Sequence, residues 1–72
     1  MKLKFLSKTC SMCPAQWQGE TEHGEVFYAQ YRHGKFYATV NDKIIYEIKL
    51  SNYDEGCLQT SEMLQLIGAE IT

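Results

Sequence analysis

Two cysteines separated by two residues, Cys10 and Cys13, are the pair in this sequence best suited to chemistry by type and spacing. A C-x2-C pair lets two thiolates bind one zinc ion from a tight turn. The chain has 3 cysteines, an odd number that disfavours a disulfide scaffold and fits a reducing compartment. A redox role is also disfavoured, because the motif serves that role beside a βαβ pattern, which the sequence lacks.

Further zinc ligands must come from positions that the predicted topology brings to the same end of the sheet. The loop at 9–14 and the His33-Gly34 turn fall at one end, and the last predicted strand finishes there shortly before Cys57. His23 falls at the opposite end and is excluded. The sequence predicts no cofactor as the simplest case. The alternative is a Cys3His zinc site, a known structural type, formed by Cys10, Cys13, His33 and Cys57.

Nucleophilic catalysis needs oxyanion donors and a cleft in addition to a cysteine near a histidine. The sequence contains no pattern that would supply them, no glycine-rich phosphate loop and no paired-carboxylate motif. A single domain of 72 residues also has little room for a deep cleft, because a domain of this size buries only about 60% of its unfolded surface. We therefore expect a protein that is not an enzyme and has no catalytic residues.

The elements that position these residues are predicted from alternating apolar side chains and from turn residues. The strand-like segments are rich in Tyr, Phe, Val, Ile and Thr, which fit a pleated, half-buried surface. Short gaps separate most of them and favour hairpins, so neighbouring strands should be antiparallel. The predicted strands cover residues 2–8, 15–21, 25–32, 35–40 and 44–50.

Turn lengths decide which side chains share a face, because a slip of one residue exchanges the two faces. We predict a two-residue turn at His33-Gly34 and three-residue loops at Glu22-His23-Gly24 and Asn41-Asp42-Lys43. The last loop would require a left-handed conformation at Lys43, which suits Gly or Asn better. These lengths predict one apolar face composed of Trp17, Phe27, Ala29, Tyr31, Phe36, Ala38, Val40, Ile44, Tyr46, Ile48 and Leu50.

A C-terminal helix over about 61–67 is expected to cover the apolar face. Thr60 or Ser61 could cap it, and Gly68 is a natural stop. The predicted fold is therefore α+β: an antiparallel four- to five-stranded β-meander with one short C-terminal helix packed on the apolar face, in a single domain over 1–72. Because so short a helix leaves much of the sheet uncovered, the sheet could curl toward a partial barrel, or a second chain could complete the core.

The opposite sheet face carries the candidate binding residues. Two tyrosines are expected to be diagonal neighbours there, and aromatic side chains on an open sheet can anchor a protein partner or stack on bases. The chain has 7 Lys+Arg against 9 Asp+Glu and lacks the basic excess of a nucleic-acid backbone binder. We therefore expect a protein partner and consider nucleic acid disfavoured. The candidate binding residues are Tyr28, Gln30, Arg32, Lys35 and Tyr37.

These patterns predict a small non-enzymatic protein-interaction module, of accessory or inhibitor type, that uses a sheet face or edge. The alternatives are a zinc-stabilised minidomain and a binder of a nucleotide or short single strand on the tyrosine-bearing face. The longest apolar run is the four residues 26–29, far short of the roughly 20 that a membrane helix needs. We expect no membrane association, a cytoplasmic location, and a monomer or homodimer.

Overall fold

Six strands and one helix make up the computed structural model, which describes residues 1–10, 15–50 and 58–71. The sheet has the order β5-β4-β3-β2-β1-β6 and curls into a half-barrel. All neighbouring strands are antiparallel except β1 and β6, which are parallel. The predicted α+β class is confirmed. The elements are β1 (Lys2–Cys10), β2 (Ala15–Thr21), β3 (Val26–Arg32), β4 (Lys35–Val40), β5 (Lys43–Lys49), α1 (Thr60–Ile67) and β6 (Glu70–Ile71).

The core lies on one face of the sheet, which we call the inner face. Trp17, Phe27 and Phe36 project from β2, β3 and β4 onto this face and are fully buried. The Trp17 and Phe36 rings meet edge to face with centroids 6.4 Å apart, a favourable aromatic geometry. Met63 from α1 and Leu3 from β1 are also fully buried in this cluster. The predicted division of side chains between the two faces of β2, β3 and β4 is thus confirmed.

The turn between β4 and β5 differs from the prediction. Val40 lies directly opposite Lys43, so the turn consists of Asn41 and Asp42 alone, both with positive φ angles of 51° and 67°. Asn and Asp tolerate this left-handed backbone, whereas Lys does not favour it, so the turn excludes Lys43. The expected three-residue loop is therefore wrong.

The extra residue is absorbed inside β5 as a bulge. Thr39 pairs with Ile44 but Ala38 pairs with Tyr46, so Ile45 has no counterpart on β4. Tyr46 and Ile48 keep their predicted place on the inner face. Ile44 falls on the opposite face and is 62% exposed, which corrects its assignment to the apolar face.

The start of α1 also differs from the prediction. Gln59 precedes the helix and makes no side-chain cap hydrogen bond, so capping by Thr60 or Ser61 is not observed. The Thr60 hydroxyl oxygen instead accepts a hydrogen bond from the Trp17 indole Nε1 at 2.9 Å. A buried indole N–H requires an acceptor, and the Thr60 hydroxyl supplies it from the first residue of the helix. At the other end, Gly68 adopts the left-handed conformation and stops the helix as predicted.

A short sixth strand was not predicted. β6 runs parallel to β1, and the Glu70 N–H donates to the carbonyl of Met1 at 3.0 Å. Two residues are too few to show an alternating pattern, so the sequence carried no signal for this strand. Within the described ranges, no helix has the length and apolar character that crossing a membrane requires.

Candidate interaction surface

The sheet surface opposite the core, here called the outer face, carries all five predicted binding residues. Cross-strand pairing puts them in three adjacent rows that run across β3 and β4. Gln30 lies opposite Tyr37, and Arg32 lies opposite Lys35. Tyr28 occupies the next row, opposite Thr39. Because residues two apart on a strand point to the same side, the three rows form one continuous patch.

Two tyrosines form the centre of this patch. The rings of Tyr28 and Tyr37 have centroids 6.2 Å apart and are tilted by 48°. The Tyr37 hydroxyl donates a hydrogen bond to Gln30 Oε1 at 2.8 Å. Partial burial raises the pKa of Tyr28, and the neighbouring Tyr37 raises it further through charge repulsion and a hydrogen bond. Tyr28 therefore remains protonated at neutral pH, and the Tyr37 ring is held in a defined position by its partners.

A row of three cations borders the tyrosines. Arg32, Lys35 and Lys49 lie directly opposite one another on β3, β4 and β5, and all three are exposed. Like charges directly opposite in a sheet repel. The ion pairs seen among the described residues lie elsewhere and join Lys4 to Glu20 and Glu22 to His23. The positive charge of this row is therefore not balanced by an ion pair in the described part of the chain.

One acidic residue adjoins the row. Glu47 lies opposite Tyr37 and two residues before Lys49, on the same face. It forms no ion pair within 4 Å in the described ranges. The outer face is therefore mixed in charge, with the positive charge concentrated at the end near the β3–β4 turn.

The sequence pattern suggested a sheet edge as a possible interaction surface but did not assign it to β5. This strand and the residue after it expose four large apolar side chains: Ile44 at 62%, Ile45 at 44%, Ile48 at 38% and Leu50 at 37%. The bulge explains the exposure of Ile44, because uninterrupted alternation would have turned this side chain inward. Ile48 keeps its predicted inner face and is exposed for a different reason, since the short helix lies over the other side of the sheet. An Asn-Asp pair before the strand was the available signal for the tighter turn.

The proposed metal ligands are only partly within the described ranges. Cys10 ends β1, and the Leu50 N–H donates to the carbonyl of Gly34 at 2.8 Å, so these positions share one end of the sheet as expected. Cys13, Cys57 and the side chain of Cys10 lie outside the described residues. His33 Nε2 accepts a hydrogen bond from Arg32 Nε at 3.0 Å.

Among the side chains that the structure describes, no group of three or more His, Cys, Asp or Glu is placed to hold a metal ion. Of the four proposed ligands, the structure describes the side chain of His33 alone, so the zinc site stays a prediction.

Comparison with known proteins adds no further constraint: no protein-family model, no curated protein and no solved structure matches this chain. The residues of the outer face and of β5 are therefore the features of this chain that bear on function.

Proposed function

We propose that this protein is a non-enzymatic protein-binding module whose outer face contacts an acidic surface of a partner protein. The observation that carries the proposal is the continuous patch in which a tyrosine pair adjoins a row of three cations that form no ion pair with any described residue. Tyr28 and Tyr37 would provide the central contact area, with Gln30 beside them. Arg32 and Lys35 would pair with carboxylates of the partner.

The residue types support a protein contact. Tyrosine and arginine are enriched among the few interface residues that contribute most of the binding free energy. Tyrosine offers a large contact area and loses little conformational entropy on binding, because it has only two side-chain torsions. Here the hydrogen bond from Tyr37 to Gln30 restricts the ring before any partner arrives, which lowers that loss further.

The charge pattern supports an acidic partner. A carboxylate beside the row of Arg32, Lys35 and Lys49 would relieve the repulsion between three neighbouring cations. Such exposed charges mainly raise the association rate and the specificity of binding. Binding should therefore weaken as the salt concentration rises, since salt screens exposed charges beyond a distance of about 8–10 Å.

A second candidate function is the binding of a nucleotide or a short single strand. The tyrosine pair beside a row of cations favours it, because bases stack on aromatic rings while phosphates contact basic side chains. The net charge of −2 and the position of Glu47 on the same face favour a protein instead. We therefore treat nucleic acid as the competing outcome of the test.

The test compares three immobilised proteins as baits for proteins from the native cell. The first is the wild type, the second is Tyr28→Ala/Tyr37→Ala, and the third is Gln65→Ala, which alters an exposed residue of α1 as the matched control. We expect one protein to be retained by the wild type and by the control but lost from the tyrosine variant. Equal retention by all three baits would contradict the proposal.

A separate titration distinguishes the nucleic-acid candidate. A short dye-labelled oligothymidylate is titrated with the wild type at low salt, and its fluorescence anisotropy is followed. We expect no saturable rise in anisotropy. A rise that Tyr28→Ala/Tyr37→Ala abolishes would replace the protein-binding proposal with single-strand binding.

A further inference from the structure

The β5 edge combines exposed backbone with exposed apolar side chains. β5 is the last strand in the sheet order, so in the described part of the chain no strand pairs with its outward side. Proteins usually protect such edges, because their unpaired N–H and C=O groups can pair with another chain. Lys43 and Lys49 at the two ends of β5 and the bulge at Ile45 would limit indiscriminate pairing. They leave the stretch from Tyr46 to Lys49 regular.

We propose that β5 pairs antiparallel with β5 of a second copy of this chain, in the register that sets Ile48 opposite Ile48 of the second copy. A two-fold axis perpendicular to the sheet relates the two strands. Residues opposite each other then lie on the same face of the joined sheet. This inference uses the strand edge and does not require the outer-face binding function, although the two share Lys49.

Charge complementarity is the first argument for this register. Glu47 lies on the outer face with Lys49. In the register centred on Ile48, Glu47 of each copy lies opposite Lys49 of the other copy, so the dimer contains two such pairs. Unlike charges directly opposite stabilise a strand pair. Each Lys49 would gain a carboxylate neighbour, which also lowers the repulsion within the row of cations on the outer face.

The apolar side chains give the second argument. Tyr46 and Ile48 point to the inner face, and alternation puts Leu50 there as well. In this register Tyr46 lies opposite Leu50 of the second copy, and the two Ile48 side chains meet at the centre. The exposed parts of Ile48 and Leu50, 38% and 37% of their surfaces, would thus be covered by matching apolar groups.

Other registers would set like charges opposite each other or would pair side chains that point to different faces of the sheet. Centring on Glu47 or on Lys49 would set two identical charges opposite each other. Centring on Tyr46 would set Lys43 opposite Lys49 and outward-facing Ile44 opposite inward-facing Ile48. Centring near Ile45 would oppose the two bulges, where the ladder of each strand is irregular. Only the register centred on Ile48 satisfies both requirements along the regular stretch.

The resulting assembly joins two six-stranded sheets edge to edge. A single strand pair makes a small interface, and small interfaces are typical of weak association. We therefore expect a reversible dimer whose population rises over micromolar to millimolar protein concentrations. The two outer faces become continuous across the two-fold axis.

The test is a charge exchange measured by sedimentation equilibrium. Glu47→Lys alone and Lys49→Glu alone each replace two unlike-charge pairs with two like-charge pairs, so we expect each to weaken dimerisation by about tenfold or more. The double variant Glu47→Lys/Lys49→Glu restores unlike pairs and should return the dissociation constant to within about threefold of the wild type. Glu62→Lys on α1, an exposed position away from β5, is the matched control and should leave it unchanged.

Several results would overturn the proposal. One is a wild-type protein that remains monomeric up to millimolar concentration, in which case the edge is unused or serves another chain. Another is a double variant as weak as the single variants, which would mean that these residues are not opposite each other. Far-ultraviolet circular dichroism of each variant verifies folding, and both altered side chains are exposed. Tyr28→Ala/Tyr37→Ala should dimerise like the wild type, so failure of the binding function and failure of the dimer are distinguishable.

Discussion

The two edges of the sheet differ in whether a further strand pairs with them. At the β1 edge, β6 adds a short parallel strand, and the Glu70 N–H donates to the carbonyl of Met1. The neighbouring Leu3 is fully buried. At the β5 edge, the described residues contain no further strand, and Ile44, Ile45 and Ile48 are exposed. One edge is therefore closed by the chain itself, whereas no described strand pairs with the other.

The reach of the C-terminal segment explains this difference. Thr60 accepts the hydrogen bond from Trp17, and the Lys8 ammonium donates to the carbonyl of Leu58 at 2.9 Å, so the segment is anchored over β1 and β2. A helix of 8 residues is about 12 Å long, whereas six strands spaced about 4.8 Å apart extend over about 24 Å. One short helix therefore cannot cover the whole inner face, and β5 is left at the uncovered side.

The largest expected effect tests the covered side against the open side. Trp17→Ala removes a fully buried aromatic ring and the hydrogen bond to Thr60, so the free energy of unfolding should fall by about 3–5 kcal/mol. Ile44→Ala, on the open side, should change it by no more than about 0.5 kcal/mol. Urea denaturation followed by circular dichroism measures both.

If Trp17→Ala does not fold, Trp17→Phe keeps a six-membered aromatic ring in the core but removes the N–H donor together with the pyrrole part of the indole. Its expected loss is about 1–2 kcal/mol. Comparable losses of unfolding free energy for the Trp17 variants and for Ile44→Ala would show that the two sides are packed equally. That result would contradict the difference described between the two sides of the sheet.

A smaller effect is expected from Gly19→Ala, at the closed side of the sheet. A Cβ atom at Gly19 would collide with the carbonyl oxygen of Phe5 on β1, which is backbone and cannot move without shifting the strand. We expect the free energy of unfolding to fall by about 1–3 kcal/mol. Gly68→Ala is a comparison of a different cause: it meets no atom within 4 Å but has a φ of 65°, so its loss of about 1–2 kcal/mol would come from backbone strain without a collision. A neutral Gly19→Ala would mean that β1 and β2 lie farther apart than described.

A modest pH effect is expected from the outer face. The pKa of Tyr28 is raised above 10.0 in the folded protein, mainly by partial burial and then by Tyr37. The folded state therefore holds this proton more tightly than the unfolded state. The resulting stability is fully present below pH 10 and is lost as the pH rises through the folded-state pKa. The unfolding free energy of the wild type should fall more steeply above pH 10 than that of Tyr28→Phe, and parallel pH curves would contradict the described environment of Tyr28.

The smallest expected effect is that of a metal chelator. The proposed function requires no cofactor, so a strong zinc chelator at neutral pH should leave the melting temperature unchanged, and elemental analysis should find no stoichiometric zinc. The Cys3His alternative predicts the opposite, because removal of a structural zinc ion unfolds a minidomain that depends on it. A large fall in melting temperature with chelator would therefore establish the alternative.

Much of the fold could be predicted from turn chemistry and alternation. The His33-Gly34 turn has two positive φ angles, as a two-residue hairpin requires, and it aligns Phe36 with the inner face. The Glu22-His23-Gly24 loop also has its predicted length, with Gly24 at φ 80°. These local signals placed the tyrosines and the cations correctly on the outer face of β3 and β4.

The remaining features depend on interactions that no local pattern encodes. The bulge at Ile45 reconciles a two-residue turn with the register that keeps Tyr46 and Ile48 on the inner face. A strict alternation of apolar and polar residues does not predict such an extra residue. The Thr60 hydroxyl bonds to a tryptophan 43 positions away instead of capping its own helix. Another bulge lies in β1 between Leu3 and Phe5. Leu3 is fully buried, whereas Phe5 is 53% exposed. The exposure of the β5 edge depends on such long-range interactions.

The division of side chains between the two faces is the claim on which both proposals depend. Its most direct test is nuclear Overhauser contacts between aromatic side chains in the folded protein. We predict contacts between the rings of Tyr28 and Tyr37, and a separate set that joins Trp17 to Phe36. Contacts between Trp17 and Tyr37 would put these rings on one side of the sheet and would contradict the account.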